Sequence, residues 1–498
     1  MIETETPEAE EPAFSELAES KKADELSLKL RTKLAWDDVS GDWYAFQDGY
    51  WQVVTPKSAL RIIKHDLDIV MSSGYSLNTL RNMASFQQIS LVITQWNTDK
   101  NLLPMKNGVL NLTTMELDEV NAPANKFCWR LPYEYNREAK CPTIFAWLKK
   151  TTGDDRETIQ MLRASMRFSI TGAGDLQRFM ELMGPGGTGK STFIRLIEAL
   201  VGAGNHVTTD LKNLESNRFE TAVLYGKRVA FINDSSRYGG EVSTLKAATG
   251  GDPLRMEKKN AQQGQSFLAN CFIFIASNEP IQSTDYSSGL SRRRVPVHFE
   301  KQVTEKDKAQ WREQGGIEAV MKSELPGLLN WVLAMSRNEA VAALGGINAT
   351  LTKSQRQHLV ETNKLAAWVD DNCVLDPNAQ TWTGSVPKRS LFAEVKIAEA
   401  EVKLFTNYYF WCEENGIKNL SVQRFGNALN ELLVSTLKEP VKHMERDKDG
   451  RSFLGIALRT DDHADKPTPV TQTYLVQPDK PVIHTPIEMC TEVADYII

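Results

Sequence analysis

The chain has 498 residues, of which 41% are hydrophobic and 24% charged, and its formal net charge is −6. At roughly 100–200 residues per domain, this length predicts about three domains with sizeable apolar cores. The slightly acidic balance argues against a protein that coats nucleic acid through a general basic surface, although a local basic element remains compatible with it.

Neither a membrane span nor a secretion signal is expected. No apolar run approaches the ~18 residues of a transmembrane helix, and the N-terminus is acidic and lacks the apolar stretch of a signal peptide. The six cysteines are scattered, without CxxC pairs or metal-ligand spacing, and are interpreted as free thiols. We therefore expect a soluble, cytoplasmic protein without a membrane partner.

The N-terminal third mixes short hairpins with helices. Residues 1–35 are rich in Glu, Ala, Lys and Ser and are interpreted as a flexible acidic leader that is either disordered or helical. From Trp36, the alternating aromatics of DWYAFQDGYWQVV predict a β-hairpin, and helical patterns follow through Ile93. In LLPMKNGVLNL, Asn107-Gly108 predicts a second tight turn. A helical stretch after Cys141-Pro142 is expected to cover one face of the next domain.

The central and C-terminal parts have different patterns. Short apolar strands alternate with helices from Phe179 to Phe299, which predicts an α/β domain with a mostly parallel sheet. A small domain is expected up to Arg459, and a tail containing several prolines follows. The complete prediction is a leader, an N-terminal α+β and helical domain, an ATPase domain, a C-terminal α+β domain and a flexible tail, at residues 1–35, 36–150, 151–340, 341–460 and 461–498.

A phosphate-binding loop is predicted after the strand Phe179–Met183. Its glycines allow backbone N–H groups to turn towards phosphates, and the following helix adds the positive end of its dipole. Lys190 is expected to contact the β- and γ-phosphates of ATP, and the Ser191 hydroxyl to ligate Mg²⁺. The predicted nucleotide-binding residues are Gly184, Pro185, Gly186, Gly187, Thr188, Gly189, Lys190, Ser191 and Thr192.

Two further strands end in polar residues that suit the same site. The run Val229–Ile232 ends in Asn233-Asp234, and Asp234 is assigned the acidic role beside Mg²⁺; a helix-capping aspartate is the alternative. The strand in NCFIFIASNEP ends near Asn278, which is expected to orient the attacking water, unless Ser-Asn-Glu-Pro is an ordinary turn.

Basic residues occur in two places around the second of these strands. The segment after TGGD is interpreted as a hairpin with a basic tip at Lys258-Lys259. Three successive arginines, Arg292 to Arg294, precede a β-like run, and one of them is expected to reach a neighbouring subunit's γ-phosphate. A solvated surface or a contact with the nucleic-acid backbone is the alternative for the arginines.

The order of these motifs resembles the superfamily 3 helicase domain. The P-loop is followed by FINDSS, LKAATGGD with the basic hairpin, FIFIASNEP and SRRR. The pattern is most similar to the phage and plasmid primase-helicase group, which includes the poxvirus primase-helicase. The upstream segments LLPMKNGVLNL and LPYEYNREAKCPTIFAWL resemble that group as well, and GRSFLGIALR resembles its winged-helix-like C-terminal segment.

This resemblance implies an AAA+ ATPase that assembles into a homo-hexameric ring in a bacterial or infected host cell. ATP would lie between subunits, with Lys190, Asp234 and Asn278 on one side and Arg292 or Arg293 from the neighbour. Lys258 and Lys259 would line the channel and bind single-stranded DNA. Unwinding of forked DNA with 3′–5′ translocation is the expected activity, with a separate primase or polymerase as a possible partner.

Two features depart from the group's pattern. The position of a second acidic residue after the strand is taken by Ser236, so the base that polarises water would be weak or supplied elsewhere, for example by Glu279. Only about 35 residues precede Trp36, which is too few for a primase domain on the usual domain sizes. We therefore keep two alternative functions: an ATP-switched DNA-binding initiator or defence ATPase that does not unwind DNA, and a protein-remodelling AAA+ ATPase.

Overall fold

The computed structural model of the chain describes residues 14, 17–233, 240–258, 265–278, 280, 281, 288–302, 304, 309, 313, 317–345, 353–386, 393–446, 448, 450–463 and 465–473. It divides into two compact units, Met1–His358 and Leu359–Ile498. The domain boundaries expected at residues 150 and 340 stay predictions. Within the described ranges, no helix combines the length and apolar character needed to cross a membrane.

The first unit begins with a four-stranded sheet and three helices. The strand order is β3-β2-β1-β4, with β4 parallel to β1 and the other pairs antiparallel. The predicted first hairpin is confirmed as β2–β3, and the helical pattern before Ile93 is confirmed as α2 and α3. The elements are α1 (Glu19–Leu30), β1 (Leu34–Asp37), β2 (Asp42–Gln47), β3 (Tyr50–Val54), α2 (Pro56–Val70), α3 (Leu77–Ser90) and β4 (Val92–Ile93).

The leader is helical and packed from Glu19 onward, so the helical alternative is confirmed there and the flexible one is wrong. Residues Glu19–Leu30 form α1, and Ala23, Leu26 and Leu30 are buried in a core shared with α2 and α3. These three residues are spaced by three and four positions, which places them on one face of the helix. The many charged residues between them occupy the solvent side and conceal this stripe in the composition. The start of the leader lies mostly outside the described residues.

A second, smaller antiparallel sheet confirms the other predicted hairpin. Its strands are β5 (Leu102–Met105), β6 (Gly108–Asn111) and β7 (Glu116–Asp118), in the order β5-β6-β7. Met105 pairs with Gly108, so Lys106 and Asn107 form the turn, one residue earlier than the predicted Asn107-Gly108. A Cβ atom on Gly108 would collide with the carbonyl oxygen of Asp118, which explains why glycine follows the asparagine here.

The central sheet of the first unit is parallel throughout, as the alternating pattern predicts. Its order is β14-β8-β13-β10-β9, so β8 and β13 lie inside it. The chain segment that connects β10 to β13 contains a separate two-stranded antiparallel ribbon, β11–β12. The strands are β8 (Phe179–Met183), β9 (His206–Thr209), β10 (Val229–Asn233), β11 (Leu254–Arg255), β12 (Ser266–Phe267), β13 (Phe272–Ala276) and β14 (Arg294–His298).

Helices cover both faces of this sheet. Phe231 and Phe274 point into one core, whereas Ile232 and Ile275 point into the other, as the two-residue period of a strand requires. The stretch after Cys141-Pro142 forms two helices that pack on the first face, so its predicted covering role is confirmed. The helices are α4 (Pro142–Thr152), α5 (Arg156–Thr171), α6 (Lys190–Val201), α7 (Leu211–Ser216), α8 (Ser243–Gly250), α9 (Ser288–Ser291), α10 (Ile317–Leu333) and α11 (Arg337–Ala343).

The second unit contains a three-stranded antiparallel sheet, with order β15-β17-β16, and several helices. The last two strands, β16 and β17, pair antiparallel, with Lys442 opposite Leu454. The rings of Tyr408 and Phe425 are 4.9 Å apart, and Tyr408 is buried, so it belongs to the core of this unit. The elements, of which α12 crosses the unit boundary, are α12 (Lys353–Thr362), α13 (Lys364–Asn372), β15 (Cys373–Trp382), α14 (Ala393–Val402), α15 (Leu404–Glu414), α16 (Val422–Asn430), β16 (Lys442–His443) and β17 (Ser452–Leu458).

The predicted flexible tail, residues 461–498, is wrong over its first part. The Leu375 N–H donates to the Pro467 carbonyl at 3.0 Å, and the Thr471 N–H donates to the Asp370 carboxylate at 2.9 Å. Val470 is fully buried. These contacts join the chain beyond β17 to β15 and to the helix Lys364–Asn372 of the second unit. Residues 474–498 lie outside the described residues.

Candidate active site

The loop between β8 and α6 takes a backbone shape that requires glycine. Gly184, Gly187 and Gly189 have φ angles of +136°, +81° and +103°, which L side chains rarely adopt. A Cβ atom on Gly184 would also collide with the carbonyl oxygen of Phe299. The loop ends at the N-terminus of α6, where backbone N–H groups without helical partners favour an anion.

The ammonium group of Lys190 lies across this loop. It donates to the carbonyl oxygens of Gly184 and of Pro185, the latter at 3.0 Å, and it is 3.4 Å from Asn278 Oδ1. Partial burial lowers the pKa of Lys190, because the charged form loses contacts with water. Two residues that are 88 positions apart in the chain, both predicted for this site, are therefore brought together.

The other predicted loop residues divide into exposed and supporting groups. Pro185, Gly186 and Ser191 are exposed, and Thr192 is half-buried. Thr188 is buried, and its hydroxyl donates to the Pro185 carbonyl at 2.9 Å. The loop thus closes on itself through Thr188, while the Ser191 hydroxyl remains accessible at the first turn of α6.

Helix α4 supports the loop from behind, which the loop motif alone does not indicate. A Cβ atom on Gly189 would lie 3.0 Å from Thr151 Cγ2 and 3.6 Å from the ring of Trp147. Both residues are buried on α4. The helical pattern of PTIFAWLKKTT could have suggested a packing role for these residues, but not the element against which they pack.

The carboxyl ends of three neighbouring strands lie at one edge of the sheet. Parallel register pairs Asn233 of β10 with Ala276 of β13, and Ala276 with Leu182 of β8. Asn233 is exposed at the strand tip, and Asn278 is exposed two residues beyond β13. Asp234 follows Asn233 directly in the chain but lies outside the described residues, so its role stays a prediction. The same holds for the neighbouring Ser236 and for Glu279.

The three successive arginines have different environments. Arg292 is exposed, whereas Arg293 is only 8% exposed and donates to the Gly289 carbonyl at 2.8 Å. Arg293 also packs against Gly250, where a Cβ atom would lie 3.1 Å from Nη2. A side chain held in this way is poorly suited to contact another subunit. The burial of Arg293 therefore argues against its predicted intersubunit role and leaves Arg292 as the candidate.

A buried ion pair, which sequence reasoning missed, connects the first strand of the site with the third arginine. Arg294 Nε lies 3.2 Å from Glu181 Oε2, and the two side chains are 5% and 0% exposed. The Ile281 N–H donates to Glu181 Oε1 at 2.8 Å, and Arg294 Nη2 donates to the Ile281 carbonyl at 3.0 Å. The pair therefore fixes the backbone of Ile281, which is three residues after Asn278 in the chain. The sequence offered one signal for this ion pair, namely a glutamate inside the otherwise apolar strand FMELM.

Removal of one partner of this pair is expected to be strongly destabilising. Glu181→Ala removes the carboxylate that lies 3.2 Å from the buried Arg294, and breaking a buried ion pair in this way costs about 3–5 kcal/mol. The double variant Glu181→Met/Arg294→Met removes both charges and should lose much less stability. Urea denaturation monitored by circular dichroism measures the difference. Equal midpoints for the wild type and Glu181→Ala would contradict the assignment of a stabilising buried pair.

The ribbon between α8 and β13 carries one of the two predicted DNA-binding lysines. Leu254 pairs with Phe267 and Arg255 with Ser266, which confirms the predicted hairpin. Lys258 follows β11, and its Nζ lies 2.6 Å from Asp42 Oδ2 of β2. Lys259 lies outside the described residues. The structure thus places the start of the hairpin tip beside the N-terminal sheet, a contact that no local pattern predicts.

Two family profiles match this chain. The family described as "D5 N terminal like" matches residues 24–153, which include the N-terminal sheet and α4. A family of unknown function, DUF5906, matches residues 182–294. The second match contains the loop with Lys190, the β11–β12 ribbon, Asn278 and the arginines, so it covers the candidate site.

Two curated relatives share parts of the sequence. The initiator protein NS1 of Aleutian mink disease parvovirus (strain G) is 22% identical over 295 residues, which are 57% of this chain and 46% of that protein. An uncharacterized mitochondrial protein of Marchantia polymorpha, ymf21, is 30% identical over 128 residues, 23% of this chain and 70% of that protein. The match thus spans just under half of the parvovirus protein's length.

Two solved apo structures of the NrS-1 C-terminal region are similar at 11% and 12% identity, with TM-scores of 0.47 and 0.45. They cover 89% and 87% of this chain and 100% and 98% of their own chains. Family membership rests on the sequence matches, which agree with the order of the motifs. With its D5 N-terminal-like region and its similarity to the parvovirus initiator protein, the chain belongs to the phage and viral primase-helicase group.

Proposed function

We propose that the chain is an ATP-hydrolysing superfamily 3 DNA helicase of the AAA+ class that replicates a phage, plasmid or other mobile element. The observation that carries the proposal is the 3.4 Å approach of Lys190 Nζ to Asn278 Oδ1 beside a glycine loop, at the carboxyl edge of a parallel sheet. Phosphoryl transfer is catalysed mainly by positioning and charge stabilisation. A lysine ammonium group can stabilise the charge, and an asparagine amide can position water.

The residues of the loop fit a nucleotide with Mg²⁺. A Cβ atom on Gly186 or Gly187 would meet nothing within 4 Å, so the outer side of the loop is open to a phosphate chain. Lys190 would neutralise the terminal phosphates, and Ser191 with Asp234 would hold Mg²⁺. When bound, Mg²⁺ stabilises the charge that develops on the phosphate oxygens.

Two residues would act on the attacking water and on the developing charge. Asn278 stands beside Lys190 and carries an amide that can orient water next to the terminal phosphate. Arg292 is exposed two residues before Arg294, whose buried pair with Glu181 fixes the start of β14. We propose Arg292 as the arginine finger that reaches the ATP site of the neighbouring subunit in a homo-hexameric ring.

The β11–β12 hairpin is the proposed binding element for single-stranded DNA. Lys258 and Lys259 would contact the strand phosphates in the central channel, and the ring would translocate 3′–5′ and open forked DNA. A separate primase or polymerase is the proposed replication partner. The support for the DNA role is the similarity to a viral initiator protein, together with the hairpin carrying Lys258.

Two assays run side by side test the proposed function. The ATP hydrolysis rate is measured with and without single-stranded DNA, and a fluorescent forked duplex reports strand separation. We expect DNA to stimulate hydrolysis and the fork to open only with ATP and Mg²⁺. Hydrolysis that ignores DNA, together with an intact fork, would reject the helicase proposal.

A DNA-loaded switch is the second candidate, because Ser236 takes the position of a second acidic residue. Such a protein would bind DNA and hydrolyse ATP without separating the strands. Ser236→Glu would then be the first variant to compare, since it restores a carboxylate that can polarise water. Faster hydrolysis and new unwinding in Ser236→Glu would support the switch, and unchanged rates would argue against it.

A further inference from the structure

The turn between β1 and β2 is held rigidly by the buried carboxylate of Asp37, which is 1% exposed. It accepts hydrogen bonds from the Val39 N–H at 2.9 Å, the Ser40 hydroxyl at 3.2 Å, Trp96 Nε1 at 3.0 Å and the Tyr225 hydroxyl at 2.8 Å. Tyr225 lies between β9 and β10 of the parallel sheet. The turn is therefore joined both to Trp96, which follows β4, and to Tyr225 in the segment before β10.

This turn presents two carboxylates to the β11–β12 hairpin. Lys258 Nζ is 2.6 Å from Asp42 Oδ2, and Gln265 Nε2 donates to Asp38 Oδ2 at 2.9 Å. Lys258 and Gln265 lie on opposite sides of the hairpin tip, and Asp38 and Asp42 lie at opposite ends of the turn. Two contacts thus join the two sides of the hairpin tip to a preformed acidic turn.

The ion pair is placed so that another anion can replace it. The side chains of Lys258 and Asp42 are 38% and 33% exposed, so both are accessible to solvent. A phosphate offers the same ligand to an ammonium group as a carboxylate does, and the two compete for it. The strand phosphates that the hairpin is proposed to bind must therefore first displace Asp42.

A second carboxylate beside exposed cations occurs one residue before Lys258, at Glu257. Glu257 lies 3.4 Å from Arg218 and 3.7 Å from Arg255, and these arginines are 73% and 79% exposed. The cations on this side of the ribbon are thus already accompanied by carboxylates of the same subunit. Asp42 differs from Glu257 because it belongs to the N-terminal sheet and not to the ribbon.

We propose that Asp42, oriented by the Asp37 turn and assisted by Asp38, sets the affinity of the hairpin for single-stranded DNA by occupying Lys258 in the DNA-free protein. Asp42 is thus an affinity-determining residue that acts through Lys258. The inference rests on the proposed DNA-binding function of the hairpin. It assigns to the N-terminal sheet a role in DNA binding that requires no direct contact with the strand.

Binding of a fluorescein-labelled oligothymidylate, followed by fluorescence anisotropy at several salt concentrations, tests the proposal. Asp42→Asn should bind about two- to five-fold more tightly than the wild type, the range expected from losing one exposed ion pair. Lys258→Gln should bind more weakly and lower the slope of log K against log salt by about 0.7. In the Lys258→Gln background, Asp42→Asn should have no further effect.

Three comparisons distinguish this role from a general charge effect or a loss of folding. Asp48→Asn removes the same charge at the other end of β2, where Asp48 is exposed, and should leave the affinity unchanged. Asp42→Glu keeps the carboxylate and should bind nearly as the wild type does. Thermal unfolding followed by circular dichroism identifies variants that have lost structure, and Asp38→Asn then provides a second variant of the same turn.

The outcomes separate the inference from the proposed function. If the wild type binds the oligonucleotide and folded Asp42→Asn binds no more tightly than Asp48→Asn, the competition is disproved while DNA binding stands. A gain in affinity that persists in the Lys258→Gln background would also overturn it, because Asp42 would then act elsewhere. If no form binds the oligonucleotide, the proposed DNA function fails and the inference fails with it.

Discussion

Lys190→Ala is expected to reduce ATP hydrolysis by about a hundredfold or more, the scale on which loss of one charge-stabilising donor acts. Lys190 Nζ lies on the loop carbonyls and 3.4 Å from Asn278 Oδ1, and it is the cation that the loop itself brings to this point. Alanine removes the positive charge and the contact with Asn278 while the glycine turn can still form. Steady-state phosphate release measures the loss.

The control for this variant is Lys212→Ala. Lys212 is an exposed lysine on α7 of the same domain, so its replacement removes the same charge away from the loop. We expect wild-type hydrolysis from this control and similar thermal unfolding for all three proteins. Normal turnover by folded Lys190→Ala would rule out the glycine loop as the nucleotide site.

Arg292→Ala is expected to retain nucleotide binding but to lose hydrolysis by about 10³-fold or more, the range known for arginine fingers. The reason is its position. Arg292 is exposed and is followed directly by two buried residues, Arg293 and Arg294, so its side chain extends from a fixed backbone. Nucleotide binding is measured with a fluorescent ATP analogue and hydrolysis by phosphate release.

A mixture of Arg292→Ala and Lys190→Ala tests whether the arginine acts across a subunit boundary. Neither variant should hydrolyse ATP alone. In an equal mixture, about a quarter of head-to-tail interfaces would join an intact Lys190 to an intact Arg292, and activity should return in that proportion. Full activity of Arg292→Ala alone would remove the assignment, and an inactive mixture would place the arginine within its own subunit.

Most local elements of this chain follow from short-range patterns in the sequence. The hairpin around Asn107, the β2–β3 hairpin and the strands around the glycine loop were predicted because turn chemistry and hydrophobic periodicity act over a few residues. The leader was predicted less sharply, as either disordered or helical. In α1, three buried residues lie among many charged ones, so composition left both states open and packing decided for the helix.

The candidate site was predictable where the chemistry is carried by a motif. Gly184, Gly189 and Lys190 stand in a strand–loop–helix pattern, and the turn demands positive φ angles that glycine alone tolerates well. Asn278 could be predicted because it follows an apolar strand, and carboxyl ends of parallel strands meet at one edge. The sequence by itself therefore determined the glycine loop, its lysine and the strand tip beside it.

Only the tertiary structure decided which charged residues face solvent and which face each other. The sequence does not distinguish Arg292, Arg293 and Arg294. In the folded chain, Arg294 is buried and paired with Glu181 on β8, and Arg293 is buried and donates to the Gly289 carbonyl. Lys258 likewise meets Asp42 across 216 positions of chain. The energy of a charge depends on its burial and on partners brought near by folding, and neither is encoded in the residues adjacent to it.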